Sequence, residues 1–221
     1  MTKEVFLDYD GTLVDFEQPW LDKINNKEGS NITPLNKNEP AHKELIKPHY
    51  GMINKEGNNH YDDVPLFDGA IDFTDTLKAN GYILKILTSY MSKNQMNTKD
   101  VHIKENFGED YFDEIIHLSS WSKTKKDFYT KNGIIVDDGT KNIMKHVDSN
   151  DTLGILLNVN DMHYMDEEHL NELKGKSNFL HLNSFESILD SLNIPKHKRV
   201  GIFFQEKPTK KKKATSSNSP S

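Results

Sequence analysis

Short, unbroken apolar runs alternate with longer polar and amphipathic stretches along this chain. Residues 4–7, 82–87, 115–118, 134–136 and 153–159 carry the runs. Runs this short and continuous predict strands buried on both faces. The intervals between them read as helices. Ala70, Phe73, Thr74 and Leu77 fall on one helical face, with Gly81 as a stop just beyond it. Residues 94–107 predict a second helix, with Met96, Val101, Ile103 and Phe107 as its apolar positions and Gly108 as its terminator. A third starts near Ser122 and stops at Gly133, and a fourth covers 140–147. Residues 179–182 read as an edge strand, followed by a closing helix over 185–192. Strands alternating with helices imply an α/β, three-layer architecture around a mainly parallel sheet, with every strand's carboxyl end at one edge.

The pattern breaks between residues 17 and 66. This region is rich in Asn, Lys, Glu, Pro and His, and Pro19, Pro34, Pro40 and Pro48 divide it. Proline interrupts helices, so short helical pieces joined by loops are expected here, with 25–39 as loop. The chain thus divides into a core of 1–16 plus 67–205, a small helical cap of 17–66 inserted after the first strand, and a tail of 206–221.

Only 34% of the 221 residues are hydrophobic, and no run approaches the roughly 18 apolar residues of a membrane span. The first strand begins almost at once, which leaves no room for a signal peptide. The chain has no cysteine, so disulfides and thiolate metal sites are excluded. A cytoplasmic protein without membrane contact is expected. The net charge of −6 is unevenly spread. Glu206, Lys207 and Lys210 to Lys213 leave the tail at +4, and 23 bases against 33 acids leave residues 1–205 at −10. So acidic a body argues against nucleic-acid binding by the core. The tail has the composition of a solvated, disordered end.

The first apolar run ends on Asp8-Tyr9-Asp10-Gly11-Thr12. Two carboxylates one residue apart at the carboxyl end of a buried strand would repel and hold a proton unless a cation sat between them. Oxygen ligands of this kind suit Mg²⁺. An EF-hand loop also begins Asp-x-Asp-Gly, but Leu13, Val14 and Phe16 occupy places where it needs further oxygen ligands. The run at 84–87 ends on Thr88-Ser89, a pair that elsewhere caps helices. The run at 134–136 ends on Asp137-Asp138. Lys123, Lys125 and Lys126 precede it.

These four pieces, in this order, resemble the motifs of haloacid dehalogenase-type phosphohydrolases, which implies a Rossmann-like sheet and a phosphomonoesterase. The resemblance implies that Asp8 attacks phosphorus and becomes phosphorylated, while Asp10 protonates the leaving oxygen and then activates water. Thr88 and Ser89 would donate hydrogen bonds to the phosphoryl group. Mg²⁺ would lie between Asp8, the Asp10 carbonyl and the acid pair, with Asp138 in direct contact and Asp137 behind it. A lysine would bind the phosphoryl group and Asp8. Counting forward from the strand that ends at Leu118 favours Lys123, counting back from Asp137 favours Lys125, and Lys123 is preferred narrowly.

The stretch from Asp8 to Phe16 is similar, more narrowly, to the opening of the 5′(3′)-deoxyribonucleotidases and their phage and bacterial relatives. Phe67-Asp68-Gly69-Ala70, Leu87-Thr88-Ser89, Lys104 to Gly108 and Phe112 to Ile116 continue the likeness. It implies a nucleoside monophosphate substrate, deoxy forms included. Phe16 would pack against the base and Trp20 would extend that wall. Core packing between cap and sheet is the competing use of both rings. Tyr90 departs from the family, which has proline there, and 25–60 aligns with nothing. A phosphatase for sugar or other small-metabolite phosphates is the alternative, and a catalytically idle binding module ranks below it. Monomer and homodimer both stay open.

Overall fold

The computed structural model describes residues 3–51, 59–119, 125–128, 133–147, 152–161, 165 and 167–201. Six strands form one sheet: β1 (Glu4–Leu7), β2 (Ile83–Tyr90), β3 (Glu114–Ser119), β4 (Ile134–Asp137), β5 (Leu153–Leu157) and β6 (Phe179–Leu182). Their order is β3-β2-β1-β4-β5-β6, and every pairing is parallel. The chain winds outward from β1 to β3, then crosses back to start β4 on the other flank of β1. That reversal puts a crevice at the carboxyl ends of β1 and β4, where open α/β sheets bind ligands.

Side-chain alternation divides the core between the two faces. Val5, Leu7, Leu84, Ile86, Ile134, Val136, Ile155 and Leu157 face one way, and Phe6, Leu87, Ile135 and Leu156 the other. The first face is covered by α3 (Ala70–Ala79), α4 (Lys93–Phe107) and α7 (Phe185–Ser191), with Phe73 stacked on Phe185 at 4.8 Å. The second lies under α5 (Thr140–Val147) and α6 (Glu167–Lys174) through Ile143, Val147 and Leu173. The three-layer α/β sandwich is as expected, and α6 is an element the apolar pattern did not reveal.

The inserted segment opens with α1 (Glu17–Glu28), twelve residues long, and continues with α2 (Pro40–Ile46). The expectation of only short helical pieces fails at α1. Pro19 falls in its first turn, where the missing N–H would have had no partner in any case. Asn25 belongs to this helix, not to a loop. Its side-chain carbonyl accepts from the Ile32 N–H (2.7 Å) and the Ser30 hydroxyl (2.8 Å), and its amide donates to the Ile32 carbonyl (2.8 Å). Those bonds deliver Ile32 to a small separate core of Trp20, Leu21, Ile24 and Ile46. The segment leaves and re-enters the body side by side: Val14 bridges Leu66 antiparallel, and the Asp15 N–H donates to the Pro65 carbonyl at 3.0 Å. Phe16 packs against both the body's core and the insertion's.

β2 runs on to Tyr90 and carries Thr88 and Ser89 near its end, paired to His117 and Leu118. One other expectation is corrected. α4 does not turn Val101 inward, for that residue is 49% exposed. Its buried positions are Gln95, Lys99, His102 and Ile103, three of them polar. Of the helix expected over 122–133, the described residues are a 3₁₀ turn, Lys125–Phe128, and Gly133; the rest lies outside them. The basic tail is also outside the described residues. Among those described, no helix is long and apolar enough to cross a membrane.

Candidate active site

β1 delivers Asp8 to the sheet's carboxyl edge, where its N–H donates to the Val136 carbonyl of β4 at 2.9 Å. The chain then folds into a tight loop, with the Leu13 N–H on the Tyr9 carbonyl and the Gly11 N–H on the Val14 carbonyl, both at 2.9 Å. Asp137 ends β4 and Asp138 follows it. Ligand oxygens of Asp8, Asp137 and Asp138 all lie within 4.8 Å of one another.

Lys125 enters from the 3₁₀ turn. Its ammonium is paired with Asp8 and, at 2.6 Å, with Asp137. Burial works against its charge, and the carboxylates of Asp137 and Asp8 more than offset this, holding the ammonium above the ordinary lysine range. Asp137 is fully enclosed. Besides Lys125 it accepts from the Gly139 N–H (2.8 Å) and the Asn142 amide (3.0 Å). Asp138 is only partly buried and stands over Gly11. Lys123, the preferred lysine, lies outside the described residues.

Asp10 is held apart from this cluster. One of its oxygens accepts from the Tyr61 hydroxyl at 2.8 Å, and the other is paired with Lys99 at 2.8 Å. Lys99 also donates to the Thr88 hydroxyl oxygen and the Ser89 carbonyl, each at 2.8 Å. A second polar pair lies beneath. The Val64 carbonyl can only accept, so the His102 Nε2–H donates to it at 2.9 Å. The Tyr9 hydroxyl then donates to His102 Nδ1 at 2.7 Å. Burial pushes His102 below the usual histidine range, in keeping with a neutral ring, and pushes both tyrosines up.

Phe16 is half-buried, edge-on to His60 at 4.7 Å and 5.6 Å from Tyr61. Trp20 is 6% exposed, belongs to the insertion's own core and stacks at 5.6 Å on the exposed Tyr50. The geometry thus gathers Asp8, Lys125, Asp137 and Asp138 at one edge. Asp10 and Thr88 meet beside them through Lys99, while Trp20 sits in a different cluster. Lys99 and Tyr61 escaped the sequence reading. The one available signal was Gln95, Lys99 and His102 at helical spacing, which looks the same as a solvated face.

The donor set fits a divalent cation. Three carboxylates converge here against one lysine, Lys125, and all offer hard oxygen ligands. Asp137 spends its oxygens on Lys125, Gly139 and Asn142, and Asp138 is the more exposed of the acid pair.

No family model and no curated protein matches the sequence. Solved structures do. A haloacid dehalogenase-like hydrolase from Streptococcus pneumoniae shares 16% identity over 86% of this chain and 98% of its own, with a TM-score of 0.56. A HAD family hydrolase from Deinococcus radiodurans, solved with phosphate and sodium, shares 16% over 86% and 95%, with a TM-score of 0.58. The HAD-hydrolase YfnB from Bacillus subtilis, solved with magnesium, shares 15% over 87% and 99%, with a TM-score of 0.56. The chain has the fold of these haloacid dehalogenase-like hydrolases.

Proposed function

We propose that this protein is a Mg²⁺-dependent phosphomonoesterase acting through a phosphorylated Asp8. The observation that carries this reading is the meeting of Asp8 with Lys125 and the Asp137-Asp138 pair at the sheet's reversal point. The likeness in fold to hydrolases and phosphatases supports it.

An Asp8 oxygen attacks phosphorus while Lys125 holds positive charge beside the attacking carboxylate. The bond from phosphorus to the ester oxygen breaks, and Asp10 gives that oxygen a proton. Asp10, now ionised, takes a proton from water as the water attacks phosphorus and releases Asp8. Thr88 and Ser89 stand at the next strand end to bind phosphoryl oxygens. Asp8, the Asp10 carbonyl and Asp138 would hold Mg²⁺, which when bound would supply charge compensation for carboxylate and phosphate together.

For the substrate we favour nucleoside monophosphates. Phe16 is half-buried at the junction of insertion and body, and a single residue, Tyr61, links it to Asp10. A second reading, a phosphatase for smaller metabolites, draws support from Trp20, whose burial leaves Phe16 alone to receive a base. A panel of phosphate esters assayed with Mg²⁺ and with EDTA tests both. Nucleotides should lead in kcat/KM if Phe16 stacks a base, and a lead for sugar phosphates would favour the second reading. Asp8→Asn should abolish release of p-nitrophenol from its phosphate ester; retained turnover would remove Asp8 as the nucleophile.

A further inference from the structure

Lys99 has no part in the chemistry just described, yet it is completely buried beside it. An ammonium enclosed this way is costly unless every donor is used. Its three N–H groups have three acceptors: Asp10, the Thr88 hydroxyl oxygen and the Ser89 carbonyl, all at 2.8 Å. No donor is left for a phosphoryl oxygen, so Lys99 is built to hold protein groups rather than substrate. Its effect on Thr88 is directional. The hydroxyl oxygen is committed as acceptor from Lys99, which frees the hydroxyl proton to point elsewhere.

Asp10 is fixed from the opposite side by Tyr61. That residue belongs to the segment returning from the insertion, and the Gln95 side chain acts on its hydroxyl as well. Gln95 and Lys99 are one turn apart on α4, so a single helix face supports both partners of Asp10. His60 donates to the Phe16 carbonyl at 3.1 Å and His102 to the Val64 carbonyl at 2.9 Å. These bonds flank Tyr61 and tie its segment to the body.

We infer that Lys99 and Tyr61 are positioning residues that aim the Asp10 carboxyl at the leaving oxygen, one from the body and one from the insertion. Proton delivery is thereby tied to the seating of the insertion. This rests on the phosphomonoesterase reading and names what orients its acid. An alkyl oxygen leaves phosphorus only as it gains the Asp10 proton, whereas p-nitrophenolate leaves without one. In this first half-reaction, loss of aim therefore falls selectively on alkyl esters.

The test compares kcat/KM, which reads the first half-reaction before Asp10 activates water, on benzyl phosphate and on p-nitrophenyl phosphate, with Mg²⁺, in wild type, Lys99→Met and Tyr61→Phe. General acid catalysis contributes about 10²–10⁴-fold, so Lys99→Met should cost about a hundredfold on the benzyl ester and under about tenfold on the nitrophenyl ester. Tyr61→Phe, which keeps the ring, should show the same selectivity at about tenfold and twofold. In an Asp10→Asn background neither change should alter the ratio of the two esters further. Equal losses on both esters in an active enzyme, or a rise in KM alone, would overturn the inference and leave the phosphomonoesterase reading standing. If Lys99→Met does not fold, Tyr61→Phe decides. A wild type that hydrolyses neither ester overturns both.

Discussion

A Cβ on Gly11 would come within 2.3 Å of an Asp138 carboxylate oxygen. The loop after β1 and the turn after β4 touch only because residue 11 has no side chain. Gly11 also takes a φ of 75°, in the left-handed region. Gly11→Ala combines about 1–2 kcal/mol of backbone strain with a clash that only displacement of Asp138 relieves. Turnover should fall by about a hundredfold or more, with Asp8 intact, and near-ultraviolet circular dichroism should confirm the fold.

Lys125 neutralises charge that would otherwise be buried unpaired. Lys125→Met leaves Asp8 and the enclosed Asp137 without a cation, and breaking a buried pair costs about 3–5 kcal/mol. The variant should melt well below wild type in EDTA. Added Mg²⁺ should recover part of that difference, because a second cation meets the same carboxylates. Thermal denaturation with and without Mg²⁺ reads both effects, and a variant as stable as wild type in EDTA would contradict the role given to this lysine.

Metal binding should be visible without any substrate. At a hundredfold excess over Kd a ligand stabilises the native state by about 2.7 kcal/mol. For a chain of this size that corresponds to a Tm increase of roughly 5–10 °C. Asp138→Asn should abolish the increase while leaving the melting point in EDTA within about 2 °C of wild type. A full Mg²⁺ response in Asp138→Asn would place the metal elsewhere.

His146, inaccessible to solvent on α5, gives the stability a pH dependence. Burial lowers it from 6.5 to about 4. Between those values the unfolded chain binds a proton there that the folded chain refuses. The contribution of the neutral ring is therefore whole above pH 6.5 and is lost as pH falls toward about 4. The unfolding free energy from denaturant titrations should decline across that window by an amount on the order of 1–2 kcal/mol. His146→Phe should flatten this part of the profile, and an unchanged slope would assign the acid sensitivity to other groups.

Much of the molecule was legible in one dimension. Val5-Phe6-Leu7, Ile134-Ile135-Val136 and their counterparts announce buried strands because an unbroken apolar run has no solvent face to offer. The acids and hydroxyls sit within a few positions of such a run: Asp8 and Asp10 after the first, Thr88 and Ser89 after the second, Asp137 and Asp138 after the fourth. Local order alone therefore placed them at one edge of a parallel sheet. Pro19 misled in the other direction, because what a proline costs a helix depends on which turn it occupies.

What only the tertiary structure decided is which partners these residues meet. Between Lys123 and Lys125 the sequence offered two counts, and the fold brings Lys125 to Asp8 and Asp137. Lys99 and Tyr61 were invisible because a buried lysine and a solvated one look alike in a string of letters. The difference is made by acceptors 10, 11 and 89 residues away along the chain: Ser89 and Thr88 for Lys99, and Asp10 for the same ammonium. Periodicity reports whether a face is apolar; it carries no information about a polar face whose partners arrive from other strands.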